Sequence, residues 1–217
     1  MSIRASEEQL FVEWEAKRVG FVRDGVASEK SYKSSQPRIA FILKEVNDLG
    51  GGGWDLRELI YEGGRPQTWN NVSRWIHGIR NRQEIPEWKF YEEISEEFRK
   101  ELLSSICAMN LKKSPGTHTT EYTSLYAVAN EDKKYIQNQY SIYDPELTIC
   151  CGTGELFKEV AEHESKEWKM TTRGIWWYER ESGKFVISYA HPEARVQNSL
   201  LLYGLIDAVN EIYSKIS

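Results

Sequence analysis

Cysteine is scarce, with three in 217 residues. Cys107, Cys150 and Cys151 lack CxxC spacing, so neither a disulfide framework nor a cysteine-based metal site is expected. Each lies in an apolar run and reads as a small buried residue. Long hydrophobic runs are missing too. Nothing approaches the about 18–20 apolar residues of a membrane span. The opening MSIRASEEQL has no signal-peptide apolar region, so a cytoplasmic chain without a membrane partner is expected. Positive charge is not in excess: 28 Lys and Arg stand against 33 Asp and Glu, a net charge of −5. That argues against indiscriminate nucleic-acid binding but leaves room for a local basic groove. Repeats, low-complexity tracts and linker-like stretches are absent. Residues 1–217 are therefore expected to form one domain, large enough to bury a sizeable core, and a monomer.

What is present centres on Ile39–Asp48, IAFILKEVND. Five apolar residues stop abruptly at Lys44-Glu45, the pattern of a strand buried on both faces. Asn47, Asp48 and the glycines Gly50–Gly53 follow, a loop able to pass close to a ligand.

Further apolar runs predict strands at Ser104–Met109, Leu147–Cys151 and Phe185–Tyr189. Helical periodicity predicts Ser6–Val19, Asp55–Tyr61, Thr68–Ile79, Trp88–Leu103, Tyr122–Tyr143, Glu155–Glu164 and Ala194–Lys215. Ser6 is the expected cap of the first helix, Val19 part of its buried stripe, and Val196 and Leu200 core contacts of the last. Phe21–Pro37 reads as irregular, and Trp168–Glu181 as a connection rich in Trp and Thr. Strands separated by helices imply parallel pairing through right-handed crossovers. The expected fold is α/β: a three-layer α/β/α sandwich with a central four-stranded parallel sheet.

In such sheets ligands bind beyond the carboxyl ends of the strands. The first strand delivers Glu45, Asn47 and Asp48 there, and the second delivers Asn110 and Lys112. The third delivers Gly152, Thr153 and Gly154, and the fourth His191. An acid, amides, a glycine turn and an imidazole then converge on one rim. Each also has a plainer reading: Glu45 as a solvated strand end, Asn110 as a turn residue, the glycine turn as an ordinary strand–helix junction, and His191-Pro192 as a helix start. His77, His118 and His163 read as structural or surface residues.

The four strand-end segments together resemble the uracil-DNA glycosylase superfamily. ICAMNLKKSPG (Ile106–Gly116) is similar to its strand-two segment, in which an Asn reads the base edge and a basic, Pro-containing loop follows. AHPEAR (Ala190–Arg195) is similar to its His-Pro motif, and PELTICCGTGELF (Pro145–Phe157) to its third strand and glycine turn. KEVND (Lys44–Asp48) lies where the first motif belongs. The chain departs from the pattern at several positions. Lys44 and Asn47 stand where relatives commonly carry Gly and Pro. Val46 stands where some use a water-activating Asp, and Glu193 where a small polar residue is usual. Several branches hold an iron–sulfur cluster through four cysteines, one more than this chain has.

The resemblance implies a DNA partner, duplex or single-stranded, with no cofactor and no metal. A flipped base is read on its Watson–Crick edge by hydrogen bonds, and Asn110 and Asn47 offer such donors and acceptors. Breaking the base–sugar bond puts positive charge on the sugar and negative charge on the base. Glu45, or Asp48 in its place, is the candidate for the first, and His191 for the second. Trp54 is either a stacking surface for the base or a core residue. Lys112, Lys113, Arg195 and the Gly152-Thr153-Gly154 turn are the candidate backbone contacts. Two other readings remain open: a non-catalytic nucleotide- or DNA-binding module of the same fold, and an unrelated small-molecule enzyme using Glu45 and His191.

Overall fold

The computed structural model describes residues 2–215. Its centre is β2 (Ile39–Leu43), in which every residue is buried. Alternate side chains enter two separate cores, Ile39, Phe41 and Leu43 on one face and Ala40 and Ile42 on the other. This is why the run is apolar without alternation. β3 (Cys107–Asn110) and β4 (Leu147–Cys151) flank β2 in parallel, and β7 (Lys184–Tyr189) pairs in parallel with β4.

The sheet is larger than expected. Among the described residues it has seven strands and is mixed, in the order β1-β3-β2-β4-β7-β6-β5. β1 (Gly25–Val26) runs antiparallel to β3, inside the stretch read as irregular. β6 (Trp176–Glu181) forms an antiparallel hairpin with β7, and β5 (Lys169–Met170) extends it, both within the unassigned connection.

Helices cover both faces. α3 (Leu56–Tyr61), α4 (Pro66–Arg80), α6 (Glu96–Leu103) and α10 (Asn198–Ser214) pack on the Phe41 face. α1 (Ile3–Glu15), α7 (Tyr122–Glu131), α8 (Lys133–Tyr143) and α9 (Gly154–Val160) pack on the Ile42 face. The short α2 (Glu29–Ser34) and α5 (Trp88–Tyr91) complete the set among the described residues. The α1 cap is Ser2, whose hydroxyl accepts from Ala5 N at 3.1 Å, in place of Ser6. Val19, Val196 and Leu200 are exposed. The expected Tyr122–Tyr143 helix breaks at Asp132, which is buried and accepts from Arg18 Nε and Nη2 at 2.8 and 2.7 Å. Cys107, Cys150 and Cys151 are buried free thiols, raised in pKa by burial. No helix is long and apolar enough to cross a membrane among the described residues.

His163 gives the fold a pH dependence. Its Nδ1 lies 2.9 Å from the Tyr178 hydroxyl. Burial, with Arg180 and Lys166 nearby, lowers its pKa from 6.5 to about 4. The unfolded chain therefore takes up this proton first on acidification. Stability is complete above pH 6.5 and is lost as pH falls towards 4. Thermal melts across that window are expected to show a falling midpoint and a shallower fall in His163→Gln. An identical slope in the variant would remove His163 from the account.

Candidate functional site at the carboxyl ends of the parallel strands

Beyond Leu43 the chain stays zipped to the segment after β3. Leu111 N donates to Leu43 O at 3.0 Å, Lys112 N to Lys44 O at 2.9 Å, Gly116 N to Val46 O at 2.9 Å and Asp48 N to Gly116 O at 3.3 Å. This ladder fixes Glu45 against Gly116, where a Cβ would come within 2.3 Å of the carboxylate. The Glu45 carboxylate pairs with the Lys112 ammonium, and its side chain is only 3% exposed. Lys112 is thus spent on Glu45 instead of standing free for a DNA phosphate.

Asp48 organises the glycine loop. Its Oδ1 accepts from Gly50 N at 2.7 Å, and its Oδ2 from Gly52 N at 2.9 Å and Trp54 Nε1 at 2.8 Å. Hydrogen bonds from Trp54, Gly50 and Gly52, in that order, lower its pKa. Asp48 is thereby a loop organiser and does not stand in for Glu45. Trp54 holds Asp48 and packs against the core, so the stacking role is not what its surroundings favour. Asn47 is exposed, its backbone bridged to Gly116.

Asn110 and Lys113 go elsewhere. Asn110 N and Nδ2 donate to Asp24 Oδ2 at 2.7 and 3.2 Å. Lys113 Nζ donates to Asp24 Oδ1 at 2.6 Å and to Asn110 O at 2.8 Å. Gln139 Nε2 adds bonds to Asp24 Oδ1 and the Tyr143 hydroxyl, each 2.8 Å. The Lys113 and Asp24 side chains are fully buried. The base-reading role expected of Asn110 and the phosphate role expected of Lys113 are corrected by this network. Its cause is the Asp24 that the chain carries beside β3 just before β1.

The Gly152-Thr153-Gly154 turn is structural. Gly152 N donates to Tyr189 O at 2.8 Å and the Thr153 hydroxyl to Ile42 O at 2.8 Å. Gly154 lets α9 approach β7, since a Cβ there would lie 2.4 Å from Ser188 Oγ. The Gly152 amide and the Thr153 hydroxyl, two of the groups expected to cradle a phosphate, are thus engaged within the fold.

His191 remains at the rim. Glu193 N donates to its Nδ1 at 3.2 Å, so Nδ1 accepts and the neutral ring carries its proton on Nε2. Burial lowers its pKa; Glu193 opposes this and Lys44 adds to it. The loop is anchored from α4, where Asn71 Nδ2 donates to Pro192 O at 2.7 Å and Asn198 Oδ1 at 2.8 Å. Arg195 is exposed.

The residue that sequence reasoning did not place in the site is Lys44. It is partly buried at the end of β2, and its Nζ donates to the Tyr122 hydroxyl at 2.6 Å and lies 4.6 Å from that ring's centre. A Cβ at Gly152 would lie 3.5 Å from Lys44 Cε and 3.8 Å from Nζ. Lys44, Gly152 and His191 therefore lie just beyond the carboxyl ends of the neighbouring strands β2, β4 and β7. The loops of β2 and β7 lead to helices on one face and that of β4 to a helix on the other, the arrangement at which open parallel sheets hold their ligands. The signal in the sequence was the abrupt end of the apolar run at Lys44. Two clefts, of about 200 and 460 Å³, lie elsewhere, lined respectively by Tyr32, Arg38 and Asp144 and by Arg4, Arg57 and Tyr61. No group of three or more His, Cys, Asp or Glu suited to a metal ion occurs among the described residues.

No protein-family model matches the chain, and no curated protein matches it.

Proposed function

We propose that the chain is a DNA glycosylase-like protein of the uracil-DNA glycosylase superfamily type, hydrolysing the N-glycosidic bond of a flipped uracil-type or modified base. The observation that carries this reading is His191. Its Nδ1 is committed to Glu193 N, leaving Nε2–H as a fixed donor at the carboxyl rim. As the C1′–N bond breaks, the bonding electrons pass to the base and His191 Nε2–H stabilises the developing anion. The Glu45 carboxylate faces the developing positive charge on the sugar, and water completes the hydrolysis. With Asn110 engaged elsewhere, Asn47 is the amide left to meet the base edge. Arg195, exposed, is the side-chain backbone contact this reading retains, and the exposed Arg65 is added to it.

One observation favours a second reading, binding without catalysis: Glu45 is already paired with Lys112, and Val46 beside it cannot activate water. The two separate on one experiment. The purified protein is incubated with DNAs carrying uracil-type and modified bases, and free base is measured by mass spectrometry. Catalysis predicts release, and the second reading predicts retention without release. The pH profile adds a check. Protonation at Nδ1 would break the Glu193 N–H bond that orients the ring, and because the His191 pKa is lowered from 6.5, release is expected to hold as pH falls just below 6.5 and to decline only with further acidification. A decline centred at or above 6.5 would remove neutral His191 from the mechanism.

A further inference from the structure

The charges at this rim do not balance. Lys112 and Glu45 neutralise one another. Lys44, partly buried, makes no ion pair among the described residues, and its one hydrogen-bond partner is the neutral Tyr122 hydroxyl. The Lys44–Tyr122 hydrogen bond lies at the surface, so the ammonium is held in place at the rim with no counter-charge and is open to an anion that docks there. Tyr122 holds the ammonium in place by the hydrogen bond and by its ring face. The ammonium also sits beside Gly152, 3.8 Å from where a Cβ there would lie, and is one of the charges that act on His191.

We infer that Lys44 is a specificity-determining residue whose uncompensated charge selects a nucleobase carrying negative charge, on the ring or on an acidic ring substituent. This rests on the reading of the rim as a base site. The anion belongs to the base and not to the DNA backbone because of position. Lys44 immediately precedes Glu45, assigned to the sugar, and lies across Gly152 from the loop of His191, assigned to the base. The exposed Arg195 and Arg65 remain for phosphates. Tyr122 is then a positioning residue acting through Lys44.

The test is equilibrium binding of two free bases, 5-carboxyuracil and uracil, at low salt, followed by calorimetry and by the His191 ring resonances. The wild-type chain is expected to prefer the acidic base by about tenfold or more. Lys44→Met, with its melting midpoint checked, is expected to abolish the preference, Lys44→Arg to keep most of it, and Tyr122→Phe to reduce it. Added salt is expected to weaken it. Equal affinity for the two bases in the wild type, or a preference that survives Lys44→Met in a folded protein, overturns the inference while leaving the base site standing. Binding of inorganic phosphate through Lys44, with no binding of 5-carboxyuracil, also overturns it, in favour of a backbone-phosphate contact. If neither base binds, the reading of the rim as a base site fails and takes the inference with it.

Discussion

Replacing Lys113 by methionine is expected to lower the stability of the protein by about 3–5 kcal/mol. The Lys113 ammonium is fully buried 2.6 Å from an equally buried Asp24 carboxylate, and it also donates to Asn110 O and lies 4.8 Å from the Trp14 ring centre. Methionine fills similar volume, so little of the loss comes from a cavity. The loss comes from a carboxylate left without its counter-charge in a dry interior, with Asn110 and Gln139 still pointing at it. For a chain of this size each kcal/mol lowers the melting midpoint by about 2–4 °C, so a fall of about 6–20 °C is expected. Adding Asp24→Asn to Lys113→Met is expected to recover part of it, since the neutral amide removes the stranded charge. Denaturant melts of the two single variants and the double measure this coupling. A loss below about 1 kcal/mol in Lys113→Met, or strict additivity, would mean that the pair is not a buried unit.

Replacing His191 by alanine is expected to slow base release by about 10²–10³-fold, the usual worth of one preorganised donor to a developing anion. Glu193 N holds the ring at Nδ1, and Asn71 holds the loop through the Pro192 carbonyl. Asn71→Ala is therefore expected to slow release as well, by less than His191→Ala, because it loosens the loop without removing the donor. Glu45→Gln tests the opposite side of the bond, keeping the shape against Gly116 while removing the charge. Single-turnover rates on a DNA that the wild type processes give these values directly. A full rate in His191→Ala would place the leaving-group donor elsewhere.

The strands that proved easiest to read were those with only one way to satisfy their sequence. Ile39–Leu43 and Leu147–Cys151 fall where apolar runs place them, because a strand covered on both faces is almost wholly apolar; Thr148, the exception, is paired with the Tyr140 hydroxyl. The antiparallel edges were hidden for the converse reason. β1 and β5 are two residues long, and WWYERE of β6, which β5 covers only at Trp176 and Trp177, mixes buried aromatics with charges. Helix periodicity ran on through Asp132, so the break at a buried carboxylate held by Arg18 was invisible until Arg18 was placed beside it.

The site divides along the same line. Glu45 and His191 reach the rim because strand direction alone puts them there. Asn110 and Lys113 were misread because their partner, Asp24, lies 86 residues from Asn110 and beside a two-residue strand. Charges on a helix are ordinarily solvated, so nothing local told that Glu7 would be buried against Arg57 at 2.7 Å. Lys44 was visible as a departure from the resembling motif. Its importance depends on Tyr122 and Gly152, which only the folded chain brings beside it.

On the proposed function, a nucleobase is held at the rim formed by the ends of β2, β4 and β7. The most direct measurement is a crystal structure of the protein with an oligonucleotide carrying a non-cleavable nucleotide analogue. The expected result is one nucleotide turned out of the strand, its base between Lys44 and His191 and its sugar facing Glu45. A nucleotide bound in either of the two other clefts, or an oligonucleotide that leaves the Lys44, Glu45 and His191 side chains untouched, would contradict it.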